Sequence, residues 1–135
     1  MQVVNFSYHT YMATVKVAII EDDQAISQMY LIKFQNEGFN VELAENGRLG
    51  LELCERMRPD IILMDLMMPE MNGDEMLTEL RKTTWGKTVK VVVLTNMGEQ
   101  EIPESVKNQN VSAVILKADM TPRQVAELVK KVIDS

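Results

Sequence analysis

The sequence predicts an α/β domain, a five-stranded parallel sheet covered on both faces by five helices. Short apolar runs alternate with stretches whose apolar residues recur at helical spacing. Most of these short runs are apolar nearly throughout rather than at every second residue, as in strands buried on both faces. Strand and helix alternate along the whole chain, and the right-handed crossovers that this requires lay the strands parallel.

The first strand is Lys16 to Ile20, and it runs into Glu21-Asp22-Asp23. Gln24 to Glu37 follows as a helix with Ile26, Met29, Tyr30 and Phe34 on one stripe and Gly38 at its C-terminal stop. Leu31 and Ile32 fall beside that stripe and are read as widening it. Asn40 to Ala44 is the second strand. Asn46-Gly47 then opens a helix carrying Leu49, Leu53, Cys54 and Met57, which stops before Pro59. The third strand, Ile61 to Met64, is bracketed by Pro59 and Pro69 and delivers Asp65 to the sheet edge.

Asn72-Gly73 reads as a turn, and Met76, Leu77 and Leu80 mark a third helix to about Lys82. Trp85-Gly86 belongs to the loop beyond. The most β-branched segment, Val89 to Leu94, is the fourth strand and ends at Thr95. Glu99 to Asn110 is expected as a fourth helix and the least secure one, because Pro103 interrupts it and only Ile102 and Val106 form an apolar pair. Ala113 to Leu116 is the fifth strand, ending in Lys117. Thr121-Pro122-Arg123-Gln124 starts the last helix with a hydroxyl cap, a proline at the first position and a glutamine three residues after the cap. Val125, Leu128, Val129, Val132 and Ile133 are its buried face, and Lys130-Lys131 is read as a solvated cap.

With 135 residues, 46% apolar and 25% charged, the chain is one globular domain, expected over 15–135, after an N-terminal extension, 1–14, expected to be poorly ordered. His9, in the extension, has no partner set and receives no role. A net charge of −6 argues against nucleic acid or an anionic membrane as partner. The lone Cys54 is expected to be a buried hydrophobe in a reducing compartment, and neither a secretory signal nor a run of about 18 apolar residues is present, so a cytoplasmic location is expected.

Parallel strands bring their carboxyl-end residues to one edge, where such folds place their sites. Here that gathers Glu21, Asp22 and Asp23, then Asp65, Thr95 and Lys117. Clustered carboxylates repel one another, so the edge calls for a divalent cation, and ligands without His or Cys favour Mg²⁺.

In these spaced motifs, from about Val15 to Ile133, the sequence resembles the receiver domain of a two-component response regulator. The resemblance implies a doubly wound, flavodoxin-like sheet of order 2-1-3-4-5. It makes Asp65 the phosphoacceptor, Glu21 and Asp22 the acidic pair, and Met67 the donor of a metal-binding main-chain carbonyl. Pro69 and Gly73 match the family's proline-glycine element, Thr95 its hydroxyl and Lys117 its lysine. Mg²⁺ would be held by Asp22, Asp65 and the Met67 carbonyl, with Glu21 acting through water.

The sequence departs from the family at several places. The family's aromatic residue on the fifth strand is Val114 here, so output is expected to use loop and fourth-helix movement instead of an aromatic swing. Lys117 is followed by Ala118 rather than proline, and the bond between them is expected to be trans. Met67 and Met97 flank the site, where they are expected to hinder water and slow the loss of phosphate from Asp65.

The resemblance thus implies a standalone receiver accepting phosphate from a phosphohistidine on a histidine kinase or phosphotransfer protein, relaying to an unknown downstream protein as a monomer or weak dimer. It would be no enzyme beyond its own phosphorylation and dephosphorylation. The alternative is a receiver-like binding module that acts without phosphorylation. An aspartate-nucleophile phosphatase would need a second carboxylate where Met67 stands.

Overall fold

A computed structural model describes residues 14–135, so the expectations for 1–13, including His9, lie outside the described residues. In chain order the elements are β1 (Lys16–Ile20), α1 (Gln24–Asn36), β2 (Asn40–Ala44), α2 (Gly47–Met57), β3 (Ile61–Met64), α3 (Gly73–Lys82), β4 (Lys90–Thr95), α4 (Glu104–Lys107), β5 (Ala113–Leu116) and α5 (Pro122–Asp134). All strand pairs are parallel, in the order β2-β1-β3-β4-β5.

Because strand side chains alternate between faces, successive apolar residues feed two cores. Val17, Ile19, Ile61, Leu63, Val92 and Leu94 meet Tyr30 and Phe34 of α1 and Val125 and Val129 of α5. On the other face, Ala18, Ile20, Ile62, Met64, Val91 and Val93 meet Leu53, Cys54 and Met57 of α2 and Met76, Leu77 and Leu80 of α3. Tyr30 meets Phe34 edge-to-face and Phe34 meets Phe39 at a tilt, with ring centroids 6.3 and 5.5 Å apart. Among the described residues no helix is long and apolar enough to cross a membrane.

Helix ends follow side-chain chemistry. Asp23, Asn46, Asn72 and Thr121 each accept an N–H from the first turn of their helices. Asn72-Gly73 is therefore a helix start, completed by Glu75 as a capping box, rather than a separate turn. Gly38 holds φ 98° just past α1, where a left-handed residue ends the helix. At the far end of the chain, Lys90 Nζ donates to the carbonyls of Val132, Ile133 and Ser135 and so neutralises the negative pole of α5.

The structure corrects three expectations. The fourth helix is reduced to a 3-10 turn, Glu99–Glu101, and the single turn α4, because Pro103 supplies no N–H and breaks the run between them. Its far end is fixed by Arg81, whose guanidinium donates to the carbonyls of Gly86, Val89, Gln109 and Asn110. On α1 the apolar stripe differs from the expected one. Tyr30 and Phe34 are buried, and Ile26 and Leu31 pack against the same core, so Leu31 does widen the stripe. Met29 and Ile32, however, are 43% and 57% exposed, because among the described residues only the sheet and α5 cover this helix. With Gln24, Ala25, Gln28, Gln35 and Asn36 they make an outward face that carries no charge. Lastly, Lys130 is no solvated cap. It reaches from α5 to Glu37 at the end of α1 and to Glu127 on its own helix.

Two outcomes follow from this packing. Burial pushes the Cys54 thiol up to about 12, so the native protein should react with a disulfide reagent at least about a hundredfold more slowly than the unfolded chain. Fast labelling under native conditions would contradict the core described here. Glu37 is held below its ordinary carboxyl value of 4.5, first by the Lys130 hydrogen bond and also by Lys33. A depressed folded-state pKa stabilises the protein above the unfolded value, and that stability is lost as pH falls through the folded value. Glu37→Gln should therefore cost about 1 kcal/mol at neutral pH in urea unfolding, and the cost should shrink as pH falls below the carboxyl's ordinary range.

Candidate functional site

Three strands deliver the acidic edge. The Asp65 N–H donates to the Ile20 carbonyl at 3.0 Å, which prolongs the β1–β3 ladder by one residue and sets Asp65 beside Glu21. Carboxylate oxygens of Glu21, Asp22 and Asp65 lie within 4.8 Å of one another. Glu21 and Asp65 are buried, whereas Asp22 is exposed. From the end of β5, Lys117 Nζ approaches Asp65 Oδ2 at 2.9 Å and Glu21 Oε1 at 2.7 Å. The lysine that the sequence places at this edge is thus paired directly with two of its carboxylates.

Charge and geometry remain incomplete. Three carboxylates against one ammonium leave two negative charges uncompensated in a recess. The Lys117 contact with Glu21 Oε1 has the distance of an ion pair but not the angles of a hydrogen bond, so that buried oxygen has no aligned donor. Burial pushes the Glu21 carboxyl above its ordinary range, against the pull of Lys117 and the Asp23 N–H, and the Asp65 charge adds to the rise. Burial opposes the charge on Lys117 as well, but its two carboxylate partners outweigh that and hold the ammonium above its ordinary range. An all-oxygen donor set with surplus negative charge and a poorly satisfied oxygen fits a hard divalent cation.

The other expected residues stand around this centre. Thr95 is fully buried at the end of β4, level with Leu116, but its Oγ1 accepts the Met97 N–H at 3.1 Å rather than meeting Asp65. The Met67 N–H donates to Asp65 Oδ1 at 3.4 Å, and its side chain is 64% exposed at the lip of the recess. Met97, by contrast, is packed against the α2/α3 core. Asp23 caps α1 through Ile26 N–H and belongs to the helix, as its position after the acidic pair suggests. No cis peptide occurs among the described residues, so Lys117-Ala118 is trans. Val114 is 38% exposed on the edge strand β5.

A second ring of residues holds the loop after β3, and sequence reasoning found only part of it. A Cβ on Gly73 would lie 2.2 Å from the Asp65 carbonyl oxygen, so only glycine permits α3 to start against the Asp65 backbone. Glu70 adopts φ 64° and is kept there by Asn46 Nδ2 at 3.2 Å and Arg48 Nε at 3.4 Å. Nothing in the composition of Pro69-Glu70-Met71 signals a left-handed glutamate.

Comparison with known proteins bears on the fold and the family. Response regulator MprA of Mycolicibacterium vanbaalenii is 36% identical over 81 residues, 60% of this chain and 34% of that protein. The chain spans about a third of the length of the curated relatives it matches. Chemotaxis response regulator CheY4 of Vibrio cholerae superposes with a TM-score of 0.80 at 27% identity, over 87% of this chain and 98% of that one. The receiver domain of the sensor histidine kinase PA1611 from Pseudomonas aeruginosa, solved with a magnesium ion coordinated in its active site cleft, shares the fold at 22% identity with a TM-score of 0.81, over 90% of this chain and 98% of that one. Residues 17–132 match the response regulator receiver domain, and the chain belongs to that family.

Proposed function

We propose that this chain accepts a phosphoryl group on Asp65 from a phosphohistidine of a histidine kinase or phosphotransfer protein, within a two-component relay. The observation that carries the reading is the Lys117 bridge to Asp65 and Glu21 at the carboxyl edge of the sheet. An Asp65 carboxylate oxygen attacks phosphorus, the bond to the donor imidazole breaks, and an acyl phosphate results. Lys117 has only to shift from Asp65 to a phosphoryl oxygen to place its positive charge on the transferred group. The buried Thr95 hydroxyl keeps its own O–H free while its oxygen accepts the Met97 N–H, so it can donate to another phosphoryl oxygen.

Asp22, Asp65 and the Met67 carbonyl would hold Mg²⁺ directly, with Glu21 through water. When bound, the ion neutralises charge on the transferring group. The donor protein must cover the recess, and the uncharged outward face of α1 starts at its rim, offering a surface that costs little to desolvate. Output would leave by the opposite flank, where a groove of about 650 Å³ is lined by Ile102, Val114, Leu116, Met120 and Leu128. The chain's only turnover would be its own phosphorylation and dephosphorylation.

Incubation with acetyl phosphate and Mg²⁺ should add the mass of one phosphoryl group. The gain should disappear when Mg²⁺ is chelated and in Asp65→Asn. No gain in the wild type would overturn the reading. Met67→Asn should shorten the lifetime of the phosphorylated form by about tenfold, because a polar side chain at the lip can position the attacking water that methionine does not. Equal decay in the two proteins would remove Met67 as a brake on hydrolysis.

A further inference from the structure

Among the described methionines, Met67 is the most exposed, at 64%, while Met57, Met64 and Met76 are 6% exposed or less. An exposed methionine on a free loop would mean little, but this loop is pinned. Gly73 N–H donates to the Leu66 carbonyl at 2.8 Å, Gly47 N–H to the Met71 carbonyl at 2.8 Å, and Glu70 is bound to Asn46 and Arg48. The Met67 N–H itself reaches Asp65 Oδ1. The thioether therefore stays open to solvent and two residues from the acceptor carboxylate.

We propose that Met67 is a modification site for hydroperoxides, and that its oxidation state sets how long a phosphoryl group survives on Asp65. Hydrogen peroxide is the co-reactant. Its O–O bond breaks, one oxygen forms the new bond to the Met67 sulfur, and the other leaves as water. The sulfur gives up two electrons and the peroxide takes them. An apolar, weakly accepting thioether becomes a strongly accepting sulfoxide. Two residues from the acceptor carboxylate and open to solvent, that oxygen can hold a water molecule beside the acyl phosphate, which the weakly accepting thioether does not. The modification thus converts a long-lived signal into a short-lived one. Methionine sulfoxide reductase reverses it, with a dithiol giving up two electrons and becoming a disulfide while the sulfoxide oxygen leaves as water.

The inference rests on the phosphoacceptor reading of Asp65, and the test separates the two. The full chain is treated with hydrogen peroxide, oxidised positions are mapped by peptide mass, and treated and untreated protein are loaded with acetyl phosphate and Mg²⁺. Loss of the phosphoryl mass is then followed after the donor is removed. Met67 should gain its oxygen well before Met57, Met64 and Met76. The oxidised protein should lose phosphate at least about threefold faster, and reductase treatment should restore the slow rate. The ratio of treated to untreated rates should fall to one in Met67→Leu and persist in Met29→Leu, which removes the other methionine exposed among the described residues. Equal lifetimes with Met67 fully oxidised, or a response that persists in Met67→Leu, would overturn the inference and leave the phosphoacceptor reading standing. An untreated protein that takes up no phosphoryl group would overturn both.

Discussion

One ammonium group, Lys117 Nζ, ties the first, third and fifth strands together at their carboxyl ends through Glu21 and Asp65. Neither neighbour gives the bridge much solvent, for the side chains of Lys117, Glu21 and Asp65 are 11%, 4% and 7% exposed. Taking such charges out of water costs several kcal/mol per ion, and their attraction recovers that only with good geometry. The off-axis approach to Glu21 shows that the geometry is not optimal for stability. A site held this way is poised to exchange partners, because every new charge brought into the recess finds groups that are desolvated but incompletely paired.

The surroundings are stiff where the centre is poised. Asp65 continues the β1–β3 ladder, Gly73 lets α3 abut its backbone, and Glu70 holds the intervening loop in a left-handed turn through α2. A non-glycine residue there costs roughly 1 kcal/mol, and two side-chain bonds from Asn46 and Arg48 are enough to offset it. Precision at the carboxylate thus comes from the opposite face of the sheet, through residues that never touch the recess.

How much of this was legible in the sequence depends on whether the cause is local. Strand limits came out nearly residue for residue because both faces are buried, so Val17 to Ile20 and Ile61 to Met64 read as unbroken apolar runs. Caps were legible too, since Thr121 and Gln124 satisfy the first turn of α5 by themselves. Three things were not. The reach of Lys117 to Glu21 is set by strand order, which spacing alone does not fix. The left-handed Glu70 depends on Asn46, far away in the chain. The outward face of α1 misled because Met29 and Ile32 look like core residues by chemistry, and only the absence of a covering element among the described residues leaves them exposed.

The weak fourth helix has its own place in this scheme. A packed core is bistable rather than continuously deformable, so a change at Asp65 has to be expressed where packing is poor. Between Thr95 and the Arg81 clamp on Gln109 and Asn110 the chain forms one 3-10 turn and one turn of helix, the least ordered backbone beside the site. Thr95 controls its near end, for its hydroxyl oxygen holds the Met97 N–H. On the proposed function, a phosphoryl group that draws this hydroxyl away releases Met97, while Arg81 keeps the far end fixed. Movement is then confined to the segment that carries Ile102 to the groove floored by Val114. A short side chain on β5 is consistent with that arrangement, because the groove changes shape with the segment itself and needs no rotating aromatic ring to report it.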